Sequence, residues 1–401
     1  MRISNKLSVR SLSYILLFIP LIPLEGLYYI QNAAYNLLYL IGTLAVALAV
    51  ILRWVYSALD KKKINYAILV MLLMAVYNIL VTVFKHGDLK GAGGVWLYTI
   101  PLLMLADLNR KRLDVFLKAA LFYLEFLIVV NFLLTLVFPD GMYNEDVLKY
   151  GKMWLLGYKS TLQCYVFPAA AISLLLSAYE NSYKNTLFLL VVSHLVCITE
   201  SNGMLLMGLA LIDVVVLAGL YKKNRFSKRV LVVAAIAIIA ANIIVVLFTS
   251  SFLSNSVVHY ITYNILGKDA TLSMRTSNWQ AVIPAIKANP VIGYGYTTAA
   301  QRQLLYGRET AHAHNIFLEL LYEGGLIEFC CFIWFNSLVF KRIYRNFNRP
   351  SARVIFYLLA VFYVMYIFEN VFRKTSSFIW LIFLLGYFAY DVDAVLSRLK
   401  S

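Results

Sequence analysis

Apolar residues along this 401-residue chain fall into long runs separated by short polar segments. Because about 20 apolar residues in helical conformation cross the hydrocarbon core of a bilayer, each run predicts a membrane-spanning helix. The predicted spans are residues 12–31, 35–55, 65–84, 92–107, 113–138, 160–178, 185–199, 203–221, 230–249, 314–340, 352–372 and 377–396. We therefore expect an all-α, polytopic integral membrane protein with about 12 transmembrane helices.

Composition and charge support this class. Hydrophobic residues make up 62% of the chain and charged residues 14%, with a mean hydropathy of +0.75. A soluble domain of this length could not cover its surface with so few charges, so most of the chain must face lipid or other helices. The formal net charge of +16 lies mostly in short clusters between the apolar runs, so we expect no nucleic-acid partner. The four cysteines lie within apolar runs and are expected to pack there.

The lysine and arginine clusters alternate with the predicted spans so that all of them can lie on one side of the membrane. They are the N-terminus, residues 61–63, 110–112, 222–229 and 341–349, and the C-terminus. The positive-inside rule places these clusters, and both termini, in the cytoplasm. The first span lacks a small-residue cleavage site and is soon followed by another span, so we expect it to be retained. Since no internal repeat is evident, residues 1–401 are expected to form one membrane domain.

Two longer connections, residues 139–159 and 250–313, then lie on the extracytoplasmic side. Loops this long in a compact bundle are usually functional. Within the longer loop, Trp279, Ile283 and Ile286 recur at helical spacing. They predict an amphipathic helix on the membrane surface, kinked at its proline.

His312 and His314 stand where the longer loop enters an apolar run. Imidazole exchanges a proton near neutral pH, and a position between water and lipid suits a substrate with a lipid anchor and a soluble head. A neutral His314 can act as a general base and accept a proton from an attacking hydroxyl group. His-x-His with Glu309 could instead hold a metal ion, but no further acidic or cysteine cluster lies nearby in the sequence. We therefore expect neither a metal nor a cofactor.

Helical spacing from His314 places Leu318, Leu321 and Gly325 on one face of the predicted helix. A glycine on that face would let a neighbouring helix approach closely and hold His314 in place.

Three acidic residues, Glu25, Glu125 and Glu369, lie near or within predicted spans. Acids at such positions usually serve a function or are paired. We expect them to pair with bases such as Lys118 or Arg373, and a proton relay is the alternative.

The longer outer loop carries more positive charge than this side of a membrane usually does. Its charged residues are Lys268, Arg275, Lys287, Arg302 and Arg308 against Asp269 and Glu309. An anionic ligand would explain the excess, because arginine binds phosphate oxygens through two parallel hydrogen bonds. Contact with lipid headgroups is the alternative.

An ordered set of residues follows the first of these arginines: a tryptophan-bearing helix, a proline, Gly-x-Gly, His-Asn and a later glycine. The set is Arg275, Trp279, Pro290, Gly293, Gly295, His314, Asn315 and Gly325. In this order the chain resembles the bacterial O-antigen ligase and O-antigen polymerase family. The family often has Ser-Arg at the start of a middle helix, whereas this chain has Glu200-Ser201-Asn202, and Lys159 is our candidate for the missing charge. Glu328 stands where the family tends to have a small residue.

The resemblance implies a GT-C-like membrane fold in the bacterial cytoplasmic membrane, with the active site in loop 250–313. It implies transfer of a glycan from undecaprenyl pyrophosphate to another lipid-linked repeat unit, which builds a surface polysaccharide such as O-antigen or capsule. The expected partners are the donor and acceptor glycolipids, membrane lipids and a chain-length regulator protein. His314 would be the catalytic base. The substrate-binding residues would be Arg275, His312, Arg302, Arg308 and Lys159.

Two other functions remain open at this point. One is a ligase that transfers the finished glycan to a different acceptor. The other is a transporter or flippase of lipid-linked sugar, for which paired halves around a central cavity would be expected. The chain shows no evident duplication, which argues against a transporter. Between the two transferases, a metal-independent polymerase is modestly favoured, since the sequence does not show the acceptor.

Overall fold

The computed structural model describes residues 9–29, 33–62, 64–143, 152–158, 160–180, 182–199, 203–220, 275–307, 310, 312–370 and 373–400, with isolated positions between 233 and 260. Several predicted features lie outside the described residues. They are Lys159, Arg308, Glu309, the basic cluster 222–229, most of the span 230–249 and most of the loop segment 250–274.

Helices dominate the described chain. Numbered over the described residues, they are α1 Val9–Leu21, α2 Ala33–Lys61, α3 Tyr66–Phe84, α4 Leu89–Leu108, α5 Leu113–Val137, α6 Gln163–Glu180, α7 Lys184–Thr199, α8 Gly203–Leu220, α9 Arg275–Ala288, α10 Ala299–Tyr306, α11 Ile316–Glu323, α12 Gly325–Arg345, α13 Pro350–Met365, α14 Ser377–Tyr387 and α15 Ala389–Leu396. Short 3-10 helices cover Glu25–Tyr29, Arg110–Arg112 and Ser397–Lys400. Two short strands, β1 Met153–Trp154 and β2 Gly157–Tyr158, pair antiparallel in the shorter predicted outer loop.

The predicted helical class is confirmed, and several helices are strongly apolar. Four described segments are long and apolar enough to cross a membrane, namely Ala33–Lys61, Tyr66–Phe84, Leu89–Leu108 and Arg110–Val137. A fifth is added if Ser377–Tyr387 and Ala389–Leu399, which meet at 86°, form one span. Shorter apolar helices accompany them, so the number twelve stays a prediction.

Four predicted spans differ from the observed helices. The first ends at Leu21 and is followed by a 3-10 helix, and α13 ends at Met365, well before residue 372. The span 314–340 is wrong as a continuous helix, because it divides at Gly324 into α11 and α12. The span 377–396 is divided into α14 and α15, which meet at 86°. Hydrophobic runs show where apolar residues lie but not where the backbone bends.

Helices α6 and α14 lie at the centre of the bundle. Every residue of α14 from Ser377 to Gly386 is buried, and α6 is buried along almost its whole length. Helix α2, in contrast, exposes a row of leucines, as expected for a helix that faces lipid. The protein therefore has a dense interior surrounded by apolar outer helices.

A second, smaller core lies beside this bundle. Its buried residues come from α9, α11 and the segments that flank α11 and follow α13, and they are Trp279, Val282, Ala285, Ala313, Leu318, Tyr322 and Ile367. The predicted tryptophan-bearing helix is thus present as α9. Its tryptophan is fully buried against the protein.

The Gly-x-Gly segment is bound to the break between α11 and α12. The Gly295 N–H donates to the Glu323 carbonyl at 2.7 Å, and the Leu326 N–H donates to the Pro290 carbonyl at 2.8 Å. Residues 290–295 therefore lie along the break and satisfy backbone groups that an uninterrupted helix would pair internally.

Glycine is required where these two segments touch. Gly293 and Gly325 both have left-handed backbones, with φ of +77° and +61°. A Cβ on Gly325 would lie 2.3 Å from the Val291 carbonyl oxygen. The prediction that a helix approaches Gly325 is therefore wrong, because a loop segment approaches it instead.

Candidate functional site

The histidines precede α11 and do not belong to it. Asn315 is the N-cap of this helix, since its side chain accepts hydrogen bonds from the N–H groups of Phe317 and Leu318, both at 3.0 Å. His314 has a left-handed backbone with φ of +53°, which is uncommon for a residue with a side chain. The predicted helical face through His314 is therefore wrong, and the imidazole projects from a turn.

A buried carboxylate, Glu369, lies at the centre of the site. It follows the end of α13 and is 3% exposed. Its two oxygens accept hydrogen bonds from different guanidinium groups, Arg275 Nη2 at 2.9 Å and Arg373 Nη2 at 2.8 Å. His314 Nδ1 lies 3.5 Å from Glu369 Oε1, too far for a strong hydrogen bond but close enough for electrostatic contact. Arg275, Arg373 and His314 thus surround the carboxylate of Glu369.

The ionisation of Glu369 follows from these neighbours. Burial by itself would raise the pKa of the carboxyl, but Arg373, His314 and Arg275 lower it further than burial raises it. The pKa of Glu369 is therefore held well below its usual range. At neutral pH the group is a carboxylate.

Arg275 is positioned by α9, of which it is the first residue. Besides its ion pair with Glu369, its Nε donates to the Phe368 carbonyl at 2.8 Å. The burial of Trp279 one turn later holds this end of the helix against the segment that follows α13. The side chain is 15% exposed, so Arg275 retains access from outside the core.

Arg373 is the functional candidate that the sequence interpretation missed. The sequence predicts Arg373 only as a base that pairs with an intramembrane acid, and its ion pair with Glu369 confirms that pairing. Its Nη1 also lies 3.5 Å from the Ser160 carbonyl and 3.4 Å from the Ser160 hydroxyl. Ser160 follows Lys159, the predicted substitute for the missing charge, in the sequence. The i, i+4 spacing from Glu369 between two apolar runs was the signal available in the sequence.

His312 lies beside His314, with ring centroids 5.3 Å apart in an edge-on arrangement. Burial, together with the positive charge of Arg373, lowers the pKa of His312 well below that of free histidine. His312 is therefore neutral at neutral pH and adds a polar but uncharged group to the site.

The net charge of the group suits an anion. Arg275 and Arg373 supply two positive charges, whereas Glu369 supplies one negative charge. One positive charge remains uncompensated by this carboxylate in a mostly buried place, where electrostatic interactions are stronger than in water. The arrangement can stabilise a phosphate or diphosphate next to a group that accepts protons.

Arg302 does not join this group, although it was predicted to bind substrate. Its guanidinium is fully buried and binds Glu319 at 2.6 and 3.2 Å and Glu323 at 3.2 Å. It also lies 4.7 Å from the ring centroid of Tyr322. A buried guanidinium group that already binds two carboxyl groups is not available to bind a diphosphate. Lys159 and Arg308 lie outside the described residues.

The other two predicted acids, Glu25 and Glu125, accept hydrogen bonds from neutral side chains. Lys118 binds Glu180 at 2.9 Å, so its predicted pairing with an intramembrane acid is wrong. Glu125 instead accepts a hydrogen bond from Asn185 at 2.6 Å. Glu25 accepts one from the Thr161 hydroxyl. Among the described residues, no group of three or more His, Cys, Asp or Glu side chains is arranged to hold a metal ion.

The mostly helical architecture with several apolar helices defines this chain as a helical membrane protein. Residues 187–333 match the protein family described as O-antigen ligase. This match confirms the predicted resemblance to the O-antigen ligase and polymerase family. The matched region contains Arg275, His312 and His314, whereas Glu369 and Arg373 lie beyond it.

Two curated relatives are similar over part of their length. The exopolysaccharide production protein ExoQ of Rhizobium meliloti is 32% identical over 113 residues, which cover 24% of this chain and 26% of the relative. The O-antigen ligase of Pseudomonas aeruginosa is 27% identical over 100 residues, which cover 25% of each. The chain therefore spans about a quarter of the length of each of these relatives in the matched region.

Proposed function

We propose that this protein is a membrane glycosyltransferase that polymerises lipid-linked oligosaccharide repeat units. The donor is a glycan on undecaprenyl pyrophosphate, and the acceptor is a hydroxyl of a second lipid-linked unit. The convergence of Arg275 and Arg373 on one carboxylate beside His314 carries this proposal. The family match, the exopolysaccharide-related relative and the apolar helices support it.

His314 acts as the general base in this reaction. A proton on Nδ1, which faces the Glu369 carboxylate, leaves Nε2 unprotonated and able to accept the hydroxyl proton of the acceptor. Glu369 also stabilises the imidazolium that forms. General-base assistance of this kind is typically worth about 10²- to 10⁴-fold in rate.

The arginines act on the leaving group. As the acceptor oxygen forms a bond with the anomeric carbon, the bond from that carbon to the phosphate oxygen breaks and its electron pair stays on undecaprenyl pyrophosphate. Arg275 and Arg373 stabilise the negative charge that develops there, with their planar donor groups suited to phosphate oxygens. The reaction needs no metal ion in this scheme, because the guanidinium groups supply the positive charge.

A His314→Ala variant tests the proposal in cells. With the variant inserted normally, single lipid-linked repeat units should accumulate on the outer leaflet and long polymer should disappear. His86→Ala is a matched control, because His86 is exposed and has the same left-handed backbone, with φ of +53°. Persistence of long polymer in His314→Ala would overturn the catalytic role. Accumulation on the inner leaflet would instead indicate a flippase.

The purified protein in lipid nanodiscs distinguishes polymerase from ligase. Supplied with lipid-linked repeat units alone, a polymerase should yield a ladder of longer lipid-linked glycans. If no ladder forms and the glycan is transferred only after a chemically different acceptor is added, the polymerase proposal is wrong and the ligase alternative holds.

A further inference from the structure

The peptide groups of Ala313, which lies between the two histidines, are held from both sides by side chains of other segments. The Ala313 N–H donates to Glu319 Oε2 at 2.6 Å, and the Ala313 carbonyl accepts a hydrogen bond from Trp279 Nε1 at 2.9 Å. The Thr310 hydroxyl donates to the carbonyl of the preceding histidine, His312, at 2.9 Å. Ala313 itself is fully buried. The short histidine segment is therefore held in position by contacts within the protein.

Glu319 is in turn held by Arg302. The guanidinium of Arg302 contacts both oxygens of Glu319, and the same nitrogen that binds Oε1 of Glu319 also binds Glu323. All three side chains are at most 3% exposed. The face of Tyr322 contacts the guanidinium, and Tyr294 and Tyr306 pack against Tyr322. Glu319 has little freedom to move away from Ala313.

We propose that Glu319 is a positioning residue for the reaction, and that Arg302 holds it so that the Ala313 N–H fixes the place of His314. Glu319 contacts neither the proposed substrate nor the imidazole. It acts through one backbone hydrogen bond on a residue adjacent to the general base. This inference rests on the proposed function for its readout.

Two physical observations favour positioning over a contribution to stability. Removing an arginine and two carboxyl groups from water is costly, and well-packed apolar residues at such sites are often as stabilising as the ions. The left-handed backbone of His314 also needs support from its surroundings, because such a conformation is disfavoured for residues with a Cβ. The Glu319 bond to Ala313 supplies that support one residue away.

The first test compares Glu319→Gln with Glu323→Gln. Both variants replace one of the two carboxyl groups that bind Arg302, but of these two groups only Glu319 accepts the Ala313 N–H. In a glutamine at position 319 whose oxygen accepts from Ala313, the NH2 group takes the place of Oε1 and faces Nη2 of Arg302, so both partners cannot be satisfied as they are by the carboxylate. We expect kcat for glycan transfer to fall about 10²-fold in Glu319→Gln, the loss typical of a misplaced catalytic group, with KM for the donor little changed. Glu323→Gln should show a much smaller loss.

Each rate is divided by the amount of folded protein. The amount of monodisperse protein and its thermal unfolding are measured in parallel. Equal losses of kcat in the two glutamine variants would overturn the inference, because they would reflect disruption of the ion cluster as a whole. A kcat equal to that of the wild type in Glu319→Gln would also overturn it.

A second test remains informative if the single variants fold poorly. The triple variant Arg302→Met/Glu319→Leu/Glu323→Leu removes all three ionisable side chains together and replaces them with apolar ones, which restores packing without an acceptor for Ala313. Positioning predicts a stable protein with the same loss of kcat as Glu319→Gln. Recovery of kcat together with stability would show that the cluster serves stability alone. If the wild-type protein transfers no glycan, the proposed function fails, and that result is distinct from each of these.

Discussion

Arg275 and Arg302 both lie in the predicted outer loop and both bind buried glutamates, but their surroundings differ in charge balance and exposure. Arg275 shares Glu369 with a second arginine, and these two guanidinium side chains are 15% and 12% exposed. Arg302 binds two carboxyl groups, and its side chain is 1% exposed. Two guanidinium groups share the Glu369 carboxylate and are partly accessible, as a site for an anionic ligand requires. The guanidinium of Arg302, in contrast, lies between two carboxyl groups and is fully enclosed.

The difference shows why arginine content alone does not identify a phosphate site. In our proposal, the same residue type in the same loop supports substrate chemistry in one cluster and local structure in the other. What distinguishes them is the number of carboxylates within reach and the access to solvent. The following predictions test that distinction from both sides.

The largest effect is expected on stability, from Arg302→Met. This change leaves Glu319 and Glu323 buried without their counter-ion, and breaking a buried pair in this way typically costs about 3–5 kcal/mol. Equilibrium unfolding in detergent micelles measures the loss. A variant as stable as the wild type would contradict the view that Arg302 is needed to neutralise these carboxyl groups.

A smaller effect, on activity and not on stability, is expected from Arg373→Ala. Glu369 keeps its pair with Arg275, whereas the leaving group loses one donor, which typically reduces kcat about 10²- to 10³-fold. The rate of glycan transfer in nanodiscs measures this. Arg349→Ala is a suitable control, because Arg349 pairs with Asp393 and belongs to neither cluster. Transfer at the wild-type rate in Arg373→Ala would remove Arg373 from the site.

The smallest effect is expected from pH. The pKa of His312 is lower in the folded protein than the ordinary 6.5, so the unfolded chain takes up this proton first, and stability should decline as the pH falls below about 6.5. The pKa of Glu369 is also lowered, from 4.5, so its contribution is present above that pH and is lost as the pH falls further. Thermal unfolding between pH 7.5 and 4 measures both, on the order of a few degrees in the midpoint.

Replacing His312 by Asn separates the two contributions. The decline that begins near pH 6.5 should disappear in His312→Asn, while the decline below pH 4.5 should remain. If the variant and the wild type lose stability in parallel over the upper range, His312 is not the group responsible.

Much of the helical architecture follows from local sequence pattern. The run 113–138 predicts a helix that the structure has at Leu113–Val137, and the run 65–84 predicts one observed at Tyr66–Phe84. Agreement is close because an apolar run of sufficient length has few alternatives to a helix when it lies in lipid. Arg275 and His314 could also be proposed as site residues, from their order within the family pattern.

The tertiary structure alone determined where the helices break and which charged residues meet. The sequence determined that the chain is helical and apolar, and it indicated Arg275 and His314 as candidate site residues. It could not show that α11 ends at Gly324, because that break depends on a backbone segment some 30 residues earlier that replaces the lost helical hydrogen bonds. Nor could it show that Arg275 lies beside Glu369, 94 positions away, whereas Arg302 is enclosed by two glutamates. Helix formation depends on neighbours along the chain, but charge balance and burial depend on which distant segments meet.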